Sequence, residues 1–287
     1  MVKKLLYFLL SVATILFISA CENSKIDNPT TENAEEANVL STSDTVMDEM
    51  IKFKYDKLIS NVPIPFDILR SHESVPLVYN ASSLNAISNL SNYSSAISKA
   101  LNLGVYGGDL AYCVTYDKSE ETSKYLECVK KLADDLGVSL AFDKSTLAYY
   151  QLYSNNKDSL EKMVFESYNE IDKTLKSNER IGLASLVIVG GWIEGLYVTL
   201  STLPEDAKSD NQKILFRKIL DQYNYLNMII ELLSQFKRDD VYAIHLNNLI
   251  EIKKIYEQLY IKQVITSNDL APLLLKVNET REKIISH

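Results

Sequence analysis

Residues 181–200, IGLASLVIVGGWIEGLYVTL, constrain this chain more than any other stretch. A helix that is apolar on every side either crosses a membrane or lies at the centre of a bundle, covered all round by its neighbours. Glu194 argues for the second. A carboxylate near the middle of a span is costly in lipid, and the apolar run is barely long enough to cross. The segment is therefore expected to be the buried central helix of a helical domain.

The rest of the chain is suited to cover it. Apolar residues recur at intervals of three and four, and period-two alternation is nearly absent, so helices are expected throughout. Helices are predicted from Asp44 to about Ser60, in a short turn at Phe66, Ile68 and Leu69 after Pro63 and Pro65, and over Asn80–Asn92. Further helices follow at Ala96–Tyr116, at 119–136 ended by Gly137, after Asp143 (Leu147, Tyr150), and along Leu160, Val164, Tyr168, Ile171 and Leu175. Past Pro204, two strong stripes follow: Leu215, Ile219, Tyr223, Leu226, Ile230, Leu233, then Leu246, Leu249, Ile252, Tyr256, Leu259. Asp117 and Glu120 fit a capping box for the 119–136 helix, and Ser267 is placed as the cap of a last helix holding Pro272. The fold class is all-α, an antiparallel array or bundle of about eight to ten helices. Residues 44–287 form its body, as a single domain or as two half-bundles meeting near 178–200.

Glycine inside a helix costs about 1 kcal/mol against alanine, so clustered helical glycines need a reason. Gly104, Gly107 and Gly108 form one cluster, and Gly190, Gly191 and Gly195 another. The clusters echo each other, with CVTY at 113–116 and YVTL at 197–200 at their ends. Close helix–helix approach is the simplest reason. The alternative is room for a ligand, with Asp109 and Glu194 beside it and Tyr106, Tyr112 and Trp192 as walls. A buried carboxylate must find a donor or raise its pKa, and paired carboxylates are the minimum for acid–base chemistry.

Other chemistry is sparse. Cys113 and Cys128 are offset by roughly 7–8 Å along a tight hairpin, which is far for a disulfide, so two buried free thiols are expected. His72 falls in a polar loop, His245 on a helix rim and His287 at the end, too scattered to suggest a metal site; no metal and no cofactor are expected. The Lys253–Lys254 pair and the Arg281–Lys283 stretch are placed on solvated faces. No G-x-S-x-G, H-E-x-x-H, P-loop or calcium loop occurs. The 18 tyrosines are expected to pack around the core rim, or else to line a groove.

The first residues, MVKKLLYFLLSVATILFISAC, combine a basic start, an apolar run and small residues before a cysteine. They resemble the signal peptide of bacterial lipoproteins, whose cysteine receives a diacylglycerol group and becomes the first residue of the mature chain. The resemblance implies a signal peptide at 1–20 and lipidation of Cys21. A triacylated cysteine holds firmly on a bilayer, where a single chain does not. Glu22, not aspartate, follows the cysteine, which leans toward the outer membrane. ISNVPIPFDI at 59–68 and LGVYGGDLAY at 103–112 are similar to segments of all-helical lipoproteins of the Bacteroidetes type. That likeness implies an anchored helical body and no particular activity.

Residues 21–43 are polar and poor in large apolar groups, the composition of a disordered tether. The whole chain carries 30 basic and 38 acidic residues, a net charge of −8. Without Lys3 and Lys4 the balance is 28 against 38, or −10. Such a chain offers no basic patch to a nucleic acid. The expected function is a non-enzymatic, lipid-anchored envelope protein, a structural or accessory component that binds a protein partner. The alternative is a small-molecule or glycan binder using the Tyr/Trp-lined cleft, and last an enzyme using Asp109 and Glu194.

Overall fold

The computed structural model describes residues 49–57, 66–70, 72, 75, 77–203, 210–262 and 264–286. The expected signal peptide, Cys21, the 21–43 tether, the start of the first helix at Asp44, Pro63, Pro65, Pro204 and His287 all lie outside them. The chain divides into two units, residues 1–46 and 47–287, and every described residue belongs to the second.

That second unit is all helical, with no strand among the described residues. Residues 49–57 form α1 and Phe66–Leu69 form α2. Then come α3 (Ala96–Thr115), α4 (Ser119–Asp135), α5 (Lys144–Tyr153), α6 (Lys157–Ser177), α7 (Ile181–Leu200), α8 (Asp210–Leu233), α9 (Asp240–Tyr260) and α10 (Ser267–Ile285). α3 and α7 make the most extensive contact in the molecule; α4 and α6 lie against α3, while α8 and α10 lie against α7. α7 is long and apolar enough to cross a bilayer, yet 89% of its most apolar window is buried by other helices.

Glycine sets the spacing of that central pair. A Cβ at Gly190 would stand 1.9 Å from the Leu101 carbonyl oxygen, and one at Gly104 would stand 2.1 Å from that of Val187 and 2.6 Å from the Gly191 nitrogen. The two backbones touch, which only residues without side chains permit. A Cβ at Gly108 would lie 2.9 Å from the Glu194 Cβ, and one at Gly107 would meet the Tyr168 hydroxyl.

Three local expectations change. Asn80–Asn92 is not a helix but two 3-10 turns, Ala81–Ser83 and Ile87–Asn92, linked by extended residues. Asn and Ser compete for backbone groups and disfavour a regular helix. Asp117 does not cap α4. It takes φ 54° and ends α3, with the Lys118 N–H bonded to the Cys113 carbonyl 2.9 Å away. The hairpin is so tight that Lys118 starts α4 with no side-chain cap. The cap of α10 is Thr266, in a capping box with Asp269, one residue before the expected Ser267.

Gly137, at φ 72°, closes α4 as expected. Tyrosines act as staples between helices and loops. Tyr93 donates to the Ile285 carbonyl, Tyr106 to Ala86, Tyr125 to Asn85 and Tyr256 to Ile219, at 2.9–3.1 Å.

Candidate functional site

α3 presents Asp109 and α7 presents Glu194 at the glycine crossing, and both side chains are fully buried. The sequence pattern brought them together on paper; it missed the third member. Arg281 of α10 is only 4% exposed, not on a solvated face, and grips Glu194 with two parallel bonds: Nε to Oε2 at 2.6 Å and Nη2 to Oε1 at 2.9 Å. Such a fork is the strong form of a charged hydrogen bond. The same Nη2 donates to the Ser83 carbonyl at 3.0 Å, and the guanidinium stacks 4.3 Å over the Tyr197 ring. A signal for Arg281 did exist. It continues the buried stripe Leu270, Leu273, Val277 at helical spacing, where a surface arginine would not belong.

One guanidinium serves two buried carboxyl groups. It is committed to Glu194, so Asp109 must lower its own charge. Burial, with the Glu194 charge beside it, holds the Asp109 pKa well above the usual carboxylate range, and the more distant Arg281 only partly offsets this. The charged form of Asp109 is therefore disfavoured in the fold. Its Oδ2 accepts the Asn85 backbone N–H at 3.2 Å, while Oδ1 has no donor partner. Protonation of Asp109 is the change that would give this oxygen a donor of its own, with Glu194 beside it.

Asn85 is the other unforeseen centre. It lies in the polar 77–95 segment yet is buried, and each of its polar groups is used. Its N–H reaches Asp109, its carbonyl accepts from Tyr125 at 2.9 Å, Nδ2 donates to the Tyr93 hydroxyl at 3.0 Å, and Oδ1 accepts from Asn89 at 2.8 Å. The segment is thus a strap tied across α3, α4 and α10 by side chains bonding to its backbone. A regular helix there would have consumed those backbone groups internally.

The remaining candidates separate. Tyr106 points its hydroxyl at the Ala86 carbonyl and packs edge-on to Tyr93. Tyr112 belongs to a second cluster: it stacks on Tyr79 at 5.3 Å, tilts against Tyr116 at 4.8 Å, and accepts the Asn80 N–H at 3.0 Å. Trp192 is directed toward α8, where its Nε1 donates to Gln222 at 3.1 Å. All five proposed walls and acids are buried, and the space above Gly104, Gly107, Gly108 and Gly190 is filled by the chain's own atoms.

His72 is buried rather than in an open polar loop. Thr199 spends its hydroxyl proton on the Gly195 carbonyl at 2.7 Å, so it can only accept from His72 Nε2 at 2.9 Å. Nδ1 then accepts from the Tyr116 hydroxyl at 3.1 Å, which fixes a neutral tautomer. Burial pushes the His72 pKa down to about 4. Cys113 and Cys128 are buried free thiols; burial raises both, Cys128 to about 11, which leaves them unreactive at neutral pH. His245 sits half-buried on α9. No group of three or more His, Cys, Asp or Glu side chains among the described residues could hold a metal ion.

Comparison with protein-family models, with curated proteins and with solved structures finds no match for this chain.

Proposed function

We propose that this protein is a non-enzymatic component of the bacterial envelope, held on the outer membrane through an acylated Cys21, which binds a protein partner with its helical body. The observation that carries the reading is the N-terminal segment: Lys3 and Lys4, an apolar run, then Ser19-Ala20-Cys21 ahead of a polar stretch. Two acyl chains or more would hold the domain on the bilayer without any membrane-spanning helix.

The interior supports a structural role over a catalytic one. Asp109, Glu194 and Arg281 are fully or almost fully buried and closed in by the strap, Asp109 through the Asn85 N–H and Arg281 through the Ser83 carbonyl. A substrate at Asp109 would have to displace Asn85, and with it the bond Asn85 donates to Tyr93 and the one it accepts from Tyr125. A ligand over Gly104 or Gly190 would meet backbone atoms, and one over Gly107 or Gly108 the side chains of Tyr168 or Glu194.

The test is an affinity pull-down from crosslinked envelopes, with the wild-type chain compared against Cys21→Ala. A stoichiometric protein partner present with the wild type and lost with the variant is expected. Recovery of the wild type from the soluble fraction, without acyl mass on its first residue, refutes the anchor.

A further inference from the structure

α5 is a helix that the fold does not bury. In KSTLAYYQLY six of the residues are Leu, Ala or Tyr, yet none of the ten is buried. An isolated helix of this length is marginal in water, so most such helices depend on a buried face. This one rests on α6 and on the 3-10 turn Ser139–Phe142. Leu152 is 78% exposed, Tyr153 is exposed beside it, and Leu140 of the preceding turn is 69% exposed. Tyr149, Leu152 and Tyr153 share one face by their spacing of three and four, and the Tyr149 and Tyr153 rings lie 4.4 Å apart.

A cleft of about 420 Å³ lies between α5 and α6, lined on α5 by Ser145, Thr146 and Tyr149, with Leu152 and Tyr153 beyond its end; its volume is in the ~300–1,000 Å³ range of binding clefts. Its floor is Met163 and Ser167, the latter fixed to the Ala141 carbonyl at 3.1 Å. Its rim carries Asp143, Glu166 and Glu170, with no lysine or arginine among the lining residues. Asp143 spends one carboxylate oxygen on capping α5. Glu166 and Glu170 reach only Lys162 and Lys173 of their own helix, at 3.8 and 3.3 Å, and both lysines are well exposed. Pairs of that kind are weak and readily exchanged.

We propose that the α5–α6 cleft docks a cationic amphipathic segment of a protein partner. The segment's apolar face lies on Leu140 and Tyr149 in the cleft and runs on over the exposed Leu152 beyond it, and its lysine or arginine side chains meet Glu166 and Glu170. This is the helix-in-groove mode of recognition. It rests on the reading of the protein as a partner-binding envelope component. Charge complementarity selects the occupant. A second copy of this chain, at net −8, would bring like charge to an acidic rim, and an anionic bilayer would be repelled in the same way. The exposed aliphatic Leu140 and Leu152 suit a leucine-rich helix better than a glycan.

The full chain in detergent tests the chemistry with a fluorescent leucine–lysine amphipathic helix and its leucine–glutamate counterpart. Saturable binding of the lysine peptide alone is expected, with hydrogen-exchange protection confined to residues 139–153 and 163–170. The double variant Glu166→Lys/Glu170→Lys, on solvent-facing positions, should weaken it by about tenfold. Binding unchanged by that variant, equal binding of both peptides, protection elsewhere, or a response to neutral oligosaccharides in place of the peptide overturns the proposal. In envelopes, photocrosslinkers at Leu152 and at Ile244 of α9 separate the two readings. A crosslink from Leu152 to a basic segment of a protein, lost in the double variant, supports the cleft. A crosslink from Ile244 alone overturns the cleft and leaves the partner-binding role; no protein crosslink from either site overturns both.

Discussion

Gly190→Ala is the most direct probe of the central crossing. Its added methyl would sit 1.9 Å from the Leu101 carbonyl oxygen, 2.9 Å from that carbonyl carbon and 3.2 Å from the Val105 nitrogen. Ordinary contact begins near 3.4 Å, so α3 and α7 must part by about 1.5 Å, and a gap of even ~0.5–1 Å forfeits a quarter to a half of each dispersion contact along the seam. Overpacking of a core usually costs about 1–3 kcal/mol where side chains can give way. Here backbone faces backbone, so the upper end or slightly beyond applies, about 3–4 kcal/mol. Better helix propensity returns about 1 kcal/mol, which leaves a net loss of about 2–3 kcal/mol. For a domain of this size that is roughly 5–10 °C in Tm. Urea denaturation and thermal melting followed by circular dichroism would measure it. Gly104→Ala should behave alike. Gly107→Ala should cost less, because its methyl meets the Tyr168 hydroxyl, the far end of a side chain that can swing away. If Gly190→Ala melts at or above the wild type, the crossing is not set by backbone contact and the argument fails.

The buried carboxyl pair makes two opposite predictions. Arg281→Met strands Glu194 without its cation and should destabilise by about 3–5 kcal/mol in denaturation at pH 7. Asp109→Asn keeps the bond to Asn85 and adds a donor toward Glu194. The raised folded-state pKa of Asp109 means the native state holds a proton that the unfolded chain has lost, so stability declines as pH rises above the unfolded value near ~4. The variant removes that decline and should be more stable than the wild type at pH 7; a loss of stability there would refute the raised pKa of Asp109. His72 runs the other way. Its folded pKa is depressed from 6.5 to about 4, so its contribution is full above pH 6.5 and about 3 kcal/mol is lost as pH falls to 4. His72→Gln should flatten the stability profile over that interval; an unchanged slope refutes the buried neutral imidazole. Native protein should leave Cys113 and Cys128 unmodified by a thiol reagent that labels both in denaturant.

What was legible in the chain followed from periodicity and from the special backbone chemistry of glycine. The stripes of α6, α8 and α9 are one-dimensional patterns, and Leu246, Leu249, Ile252, Tyr256 and Leu259 are all buried as their spacing implies. The all-round apolar α7 had to be central because no face of it could meet water. Its glycines called for a reason, since helical glycine is otherwise a cost; the choice between close approach and room for a ligand came only with the α3–α7 contact. What the sequence could not carry is pairing across distance. Arg281 reaches Glu194 over 87 positions, and Asn85 meets Asp109 by leaving regular helix altogether. Composition marks residues 80–92 as polar; their burial is possible only because Tyr106, Tyr125, Asp109 and Arg281 converge from separate elements to satisfy the backbone of Ser83, Asn85 and Ala86. The same holds for α5. Its sequence says helix, but only the arrangement of α6 and the Ser139–Phe142 turn half-covers Leu147, Tyr149 and Tyr150 and leaves Leu152 and Tyr153 exposed. Local hydrogen bonds and side-chain period determine elements; which buried polar groups find partners, and which apolar faces do not, is decided where those elements meet.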